Sequence, residues 1–354
     1  MARVTLQTIA DQVGVSRMTV SNAFSRPDQL SQALRERILE AATALGYVGP
    51  DPAARALARG TTGAVGVLLT DSLRSAFDDD VATAFLGAVA GEVGTAGLAL
   101  SLLSGTAGGE LVPARDVAMD GAVVYSCDPD RSTVDWLLRR QLPVVFVDQE
   151  PTDDVSCVNV DDRGGARAAA QHLVDLGHRR VAVMTAAMGG APGLVTDPLA
   201  DARTAKYVSR ERVAGCLDAL AAAGLTPLVH RQRTSDDQEA YRAALVLLAA
   251  GDRPTGVLCF SDVIASGVVR AAEELGLDVP GDLSVTGFDD SPLARRLRPR
   301  LTTVRQDVVE KGRLAASLLQ DAMAGRRAGL AVPVERVRLP TELVVRDSTG
   351  PPPG

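Results

Sequence analysis

The 354-residue chain contains no stretch approaching 18 uninterrupted apolar residues, which argues against a membrane-spanning helix. Its opening, Met-Ala-Arg-Val-Thr-Leu-Gln, lacks the charged-then-apolar pattern of a signal peptide, so a cytoplasmic location is expected. The four cysteines (Cys127, Cys157, Cys216, Cys259) make no CxxC pair, and the three histidines (His172, His178, His230) make no HxxxH or HExxH. Neither a disulfide framework nor a metal site is therefore expected, no cofactor is implied, and the thiols read as buried and reduced. Catalytic signatures are missing too. There is no GxSxG, no Walker loop, no dinucleotide fingerprint after a strand, and no spacing that implies a His–carboxylate pair, so an enzyme is not the expected reading. Lysine is nearly absent: only Lys206 and Lys311 among the 37 basic residues are not arginine, which, with so much alanine, reads as base composition rather than chemistry.

What is present is a chain 46% hydrophobic and 23% charged, the balance of a globular protein, and long enough for two or three domains. Its charge is uneven. Residues 1–60 carry seven Arg against five acids on a chain whose total is −7, so a weakly basic head precedes an acidic body. That is the balance of a small nucleic-acid-binding module attached to a larger domain. The head, residues 1–48, reads as three short helices. Leu6, Ile9, Ala10 and Val13 share a face behind a Thr5 N-cap, and Gly14-Val15 breaks that helix. Ser16 caps a second helix with Val20, Ala23 and Phe24 inward; after a Pro27-Asp28 turn, Ser31 caps a third carrying Leu34, Ile38, Leu39, Ala42 and Leu45. Residues 49–62 form a linker in which Asp51-Pro52 can start a helix of two turns at most, too short to be stable alone.

From Gly63 the pattern alternates. Apolar runs at 65–69, 98–103, 121–125, 143–147, 180–184, 256–260 and 283–287 read as buried parallel strands. Helical stretches lie between them at about 80–96, 131–141, 162–176, 208–223, 236–250 and 262–275. This predicts a parallel α/β body of two sheets. Residues 348–354, with three consecutive prolines, are expected to be a disordered tail. Residues 186–208 read as a surface insertion rather than a lid, and His178 as structural rather than a metal ligand.

The strongest motif is LQTIADQVGVSRMTVSNAF, Leu6 to Phe24. A helix-turn-helix needs a small residue where the helices touch, a glycine in the turn and apolar anchors on both sides; Ala10, Gly14, Val13, Val15 and Val20 supply them. An ordinary helical hairpin is the bland alternative. With LSQALRERILEAATALGY after it, this head resembles the lactose-repressor/galactose-repressor (LacI-type) family of transcription regulators. The resemblance continues through ARALARGTTGAVGVLL, DGAVV, LPVVFVDQ, HLVDLGHRRVAV, RERVAG, FSDVIASGVVRAAEELGLDVPGDLSVTGFDD, RLTTVRQ and PTELVVRDST, in the family's order from Val4 to about Thr349.

The resemblance implies a helix-turn-helix head, a hinge helix and a two-lobed effector-binding body like periplasmic sugar-binding proteins. In that body, residues 63–347, the first lobe would comprise about 63–161 with 291–325, and the second about 162–290 with 326–347. It implies base contacts by Arg17, Met18 and Asn22 in the major groove and by Ala54 and Leu57 from the hinge, and phosphate contacts by Thr5, Ser16, Thr19, Ser21 and Ser31. It implies an effector site made of Phe77, Tyr125, Asp148, Arg212, Asp262, Asp289 and Gln306. For Asp262 and Asp289 helix capping is the competing role; Trp136, in a helical stretch, reads as packing. Three positions depart from the family pattern. Asn22 stands for a common Arg, Ser261 for Asn, and the linker Tyr47-Val48-Gly49-Pro50-Asp51 is one residue longer than Tyr-x-Pro-Asn.

The reading is therefore a sequence-specific transcriptional regulator, a repressor, that binds palindromic operator DNA as a homodimer, responds to a small polar effector such as a sugar, and has no membrane partner. A solute-binding protein for transport is the runner-up; the first 60 residues and the missing signal peptide count against it.

Overall fold

The structure, a computed structural model, describes residues 4–49, 51–69, 73–105, 112–126, 132–186, 188, 190–198 and 205–354. Cys127, Pro50 and part of the 186–208 insertion lie outside them. The chain forms two compact units that divide between Gly63 and Ala64.

In the first unit, α1 (Leu6–Val13), α2 (Arg17–Ser25) and α3 (Gln32–Ala44) begin behind short hydroxyls: Thr5, Ser16 and Ser31 accept from the amides of Thr8, Thr19 and Leu34. Ile9, Ala10, Val20, Ala23, Ile38 and Ala42 are buried where the three helices meet, and Phe24 packs edge-on against Tyr47 at 5.7 Å. After the linker comes α4 (Pro52–Arg59). The added Gly49 has φ 129°, a conformation that suits glycine far better than any residue with a Cβ, so the longer linker turns on a residue able to make that turn.

The second unit holds two sheets. The first contains β1 (Ala64–Leu69), β2 (Ala99–Ser104), β3 (Gly121–Tyr125), β4 (Val144–Val147), β5 (Ser156–Val160) and β12 (Arg336–Leu339), in the order β12-β5-β4-β3-β1-β2, all parallel. The second contains β6 (Val181–Thr185), β7 (Gly193–Val195), β8 (Leu228–Arg231), β9 (Gly256–Cys259), β10 (Ser284–Asp289), β11 (Thr302–Gln306) and β13 (Thr341–Val344), in the order β13-β11-β10-β9-β6-β8-β7. Only its two edge strands, β13 and β7, run antiparallel to their neighbours. The short α5 (Leu73–Asp78) leads into α6 (Asp80–Thr95). α6 covers one face of the first sheet with the C-terminal helix 308–328, and α7 (Pro113–Asp116) and α8 (Ser132–Arg139) cover the other. In the second lobe α9 (Asp162–Asp175) and α10 (Tyr207–Ala222) cover one face, α11 (Asp237–Leu248) and α12 (Asp262–Glu274) the other. A small α13 (Pro292–Arg296) precedes β11, and the helix 308–328 is α14 (Val308–Ala328). Gly215 lets α9 and α10 touch backbone to backbone, since a Cβ there would stand 2.2 Å from the Arg163 carbonyl oxygen. Trp136 packs in the first lobe between Arg115 and Arg139, as expected of a packing residue.

The lobe division differs from the expected one. β11 lies within the stretch assigned to the first lobe but pairs with β10 in the second sheet, and β12, assigned to the second lobe, pairs with β5 in the first. The first lobe is thus 64–160 with 308–339, and the second 162–306 with 341–350. Both strands escaped notice because they are polar: TTVRQ and RVRL lack the continuous apolar run of a central strand. The chain crosses between lobes near Asp161, Asp307 and Pro340. The 186–208 insertion contributes the edge strand β7.

The expected disordered tail is also corrected. Ser348 is fully buried, its hydroxyl accepting from the Thr302 amide at 2.8 Å and donating to the Val285 carbonyl at 2.6 Å. His178 donates from Nε2 to the Gly350 carbonyl at 2.9 Å, which leaves Nδ1 to accept from the Thr255 hydroxyl at 2.9 Å. Proline-rich composition suggested solvation, but these buried polar partners fix the tail as far as Gly350. Replacing Ser348 by Ala leaves the Thr302 amide without its acceptor and is expected to cost about 1–3 kcal/mol in a urea titration; an unchanged midpoint would return the tail to solvent.

Candidate nucleic-acid interface and ligand cleft

α2 turns Val20 and Ala23 into the head core and leaves its other side outward. Arg17 and Met18 are exposed, Met18 by 69%, which removes core packing as its role. Asn22, one turn on, is half-buried and donates from Nδ2 to Gln29 Oε1 at 3.1 Å. Arg17, Met18, Ser21 and Asn22 fall on one outward face by helical spacing. Thr5, Ser16 and Ser31 each sit at a helix N-terminus, where unpaired amides favour an anion, and Ser16 Oγ and Thr19 Oγ1 are 2.8 Å apart. In α4, Leu57 is 87% exposed and Ala54 lies in the open, with Asp51 Oδ1 accepting from the Ala54 amide at 3.3 Å. An exposed leucine on an eight-residue helix has nothing of its own to bury.

In the second unit the structure draws five of the predicted residues, together with two that the sequence reading missed, around the C-terminal ends of the strands. Arg212, on α10, is buried. Its Nε donates to Asp162 Oδ1 at 2.8 Å, its Nη1 to the Phe260 carbonyl at 2.7 Å, and Nη1 lies 3.3 Å from Asp289 Oδ1. The guanidinium also lies 3.6 Å from the Phe288 ring centroid. Gln306 donates to Asp289 Oδ1 at 2.7 Å and accepts from Lys311 at 2.9 Å; Lys311 Nζ also donates to Asp148 Oδ2 at 2.6 Å. The result is one polar chain, Asp148–Lys311–Gln306–Asp289–Arg212–Asp162, reaching from the first lobe into the second. Tyr125 stacks on Phe85 with centroids 4.3 Å apart, 5.9 Å from Lys311 Nζ.

Asp148 and Asp289 both occupy positive φ, 55° and 113°, where a residue with a Cβ is strained and where such strain clusters at binding sites. Asp262 stands apart from the chain: Oδ1 accepts from Thr303 and Oδ2 from the Ser291 amide, so both oxygens tie the second lobe together. Neither Asp262 nor Asp289 caps a helix; the α12 cap is Ser261, whose Oγ accepts from the Ile264 amide. Phe77, on α5, is exposed. Asp162 and Lys311 were overlooked because each looks ordinary in sequence, one in a first helical turn and the other in an EKGR run. The signal was there in the rarity of lysine.

Fold and sites together define a helix-turn-helix DNA-binding regulator with a ligand-binding body. Comparison with known proteins agrees. The model for bacterial regulatory proteins of the lacI family matches residues 5–49, and that for a periplasmic binding protein-like domain matches residues 170–349. The chain is 40% identical over 367 residues to an HTH-type transcriptional regulator of Mycolicibacterium smegmatis, covering 99% of this chain and 97% of that protein. Among solved structures it is similar to the lac repressor dimer bound to operator and the anti-inducer ONPF (TM-score 0.75, 25% identity, 99% of this chain and 100% of that one). It is also similar to the complex of the transcriptional regulator CelR with cellobiose (TM-score 0.69, 27% identity, 98% of this chain and 100% of that one). The chain belongs to the lacI family: it is a sequence-specific DNA-binding transcription regulator with an effector-binding domain, and not an enzyme.

Burial pushes the Asp289 carboxyl up to about 8, against the pull of the Arg212 guanidinium, and pushes Asp162 up to about 6. A carboxyl raised in this way keeps its proton in the folded protein after the unfolded chain has released it. Its contribution to stability is complete below the unfolded value of 3.8 and is lost as pH rises to about 8. Asp289→Asn, which imitates the protonated form, should therefore gain on the wild type as pH rises from 5 to 8, by up to about 1 kcal/mol per unit. Thermal melts across that range check it; a constant difference would mean that Asp289 stays ionised beside Arg212.

Proposed function

We propose that this regulator is a cytoplasmic homodimeric repressor that reads a palindromic operator through Arg17, Met18 and Asn22. Thr5, Ser16, Thr19, Ser21 and Ser31 hold phosphates, and Leu57, with Ala54 beside it, enters the minor groove. A small polar effector, such as a sugar, binds among Tyr125, Asp148, Arg212, Asp289 and Gln306, with Phe77 at the margin and Asp262 setting the second lobe behind them. The carrying observation is the polar chain from Asp148 to Asp162, whose members belong to both lobes, so that a ligand seated there senses the angle between them. Two heads are needed because three base-reading side chains specify too short a site. The three interlobe crossings pass any change of angle toward the hinge attachment.

Two experiments test the DNA half. Asn22→Ala is expected to cost about 1–3 kcal/mol at a single base position and relax preference there, read by binding to a randomised operator; a uniform loss at every position would reject the orientation of α2. Leu57→Ala should abolish most operator bending and lower specific affinity far more than non-specific affinity, measured by gel shift and bending assay. Equal loss on operator and random DNA would remove the wedge role.

A further inference from the structure

We propose that Lys311 is a specificity-determining residue of the effector cleft: it commits its charge to Asp148 and Gln306, so that the site takes an uncharged, hydroxyl-rich ligand and refuses phosphorylated or carboxylated ones. The inference rests on the effector reading given above. Among the described residues the buried cations are Arg212 and Lys311, and both are spent inside the protein. Arg212 is held by Asp162, Asp289 and a carbonyl; Lys311, 1% exposed, is held by Asp148 and Gln306. Three carboxyls face these two cations. Two of their oxygens, Asp148 Oδ1 and Asp162 Oδ2, are buried and have no hydrogen-bond partner.

An unpaired buried acceptor is costly, and only a donor relieves it. What Asp148 Oδ1 and Asp162 Oδ2 lack is a hydroxyl or N–H group, not negative charge. A phosphate or carboxylate brought here would meet unpaired carboxylate oxygens at low dielectric, with no uncommitted buried cation among the described residues to receive it. The rim offers no exception at Arg210, which is paired with Glu150 and Glu211. Lysine suits the position better than arginine because its compact ammonium can serve Asp148 and Gln306 from one atom, whereas a planar fork would need a wider space. By holding Asp148 Oδ2, Lys311 fixes that side chain and leaves Oδ1 as an acceptor for a ligand hydroxyl.

The test uses the full-length protein and matched compounds. Neutral sugars and polyols, cellobiose, ribose and glucose among them, are assayed beside their phosphate esters and their sugar acids, by thermal shift and by operator release. Every hit is expected to be uncharged, with its phosphate or acid counterpart at least about 100-fold weaker by calorimetry. A charged member that binds as tightly as its neutral counterpart overturns the inference while leaving the effector reading in place. Should no compound of either class shift melting or operator binding, the effector reading falls and takes this inference with it. The neutral hit is then titrated into Lys311→Met and into Asp148→Asn/Lys311→Met, the double variant removing both charges so that no buried carboxylate is left unpaired by the change. Expected is a loss of neutral-ligand affinity of more than about tenfold in both, and a fall in discrimination against the phosphate from about 100-fold to below about tenfold in the double variant. A purely structural lysine would lower the melting temperature of the single variant and leave that ratio where it was, which would overturn the proposal.

Discussion

Arg212 is buried with its charge, and a buried cation is tolerable only where protein oxygens replace the water it has lost. They come from three directions: Asp162 at the start of α9, the Phe260 carbonyl at the end of β9, and Asp289 at the end of β10. The flat guanidinium also rests on the rings of Phe260 and Phe288. α9 can therefore not rotate, nor β10 slide, without stranding a charge in a dry interior. The RERVAG segment holds this arrangement from one helix, because Gly215 brings α10 against α9 and Arg212 then reaches past it.

The first lobe answers with the opposite arrangement, a lysine surrounded by acceptors. Lys311 stands five residues beyond Gln306, and the crossing between β11 and α14 lies between them. A bond across so short a stretch fixes the crossing itself, and Gln306 hands the constraint to Asp289. The cleft is thus polar but largely self-satisfied, with Asp148 Oδ1 and Asp162 Oδ2 left as unpaired acceptors. In the proposed reading a ligand gains most where it supplies donors to both lobes together. That differential contact is what a change of lobe angle requires, since a ligand that met both arrangements equally would shift nothing.

The legible parts of the fold were those where burial is continuous. Central strands such as β3 and β4 are apolar throughout and declare themselves, and the head helices declare themselves by caps and turn glycine. The strands at the lobe crossings did not. β11 alternates threonine and arginine with valine because its polar side chains bond Asp262, Asp290 and Asp289. Polarity that builds the site is polarity that hides the strand, and the same holds for Ser348 in the tail. The proposed site was partly legible, since Arg212, Asp289, Asp148 and Gln306, which the structure links, stand in recognisable motifs. Their counterions were not, because Asp162 and Lys311 become site residues only when the chain has crossed between lobes and brought α9 and α14 back to it.

The head uses the same economy of short polar side chains. A helix N-terminus leaves four amides without intrahelical partners, and a capping hydroxyl takes one of them. Ser16 satisfies the Thr19 amide, so the earlier amides of α2, at Arg17 and Met18, remain open where the helix dipole favours an anion. Those amides belong to exposed residues proposed above to read bases. Anchoring a phosphate there would fix the height of α2 over the duplex within one turn of the bases it reads, and Asn22, tied to Gln29, would then hold its register one turn further along. In the proposed reading, alignment of this face depends on the cap as much as on the side chains it carries, because the cap sets where the helix begins.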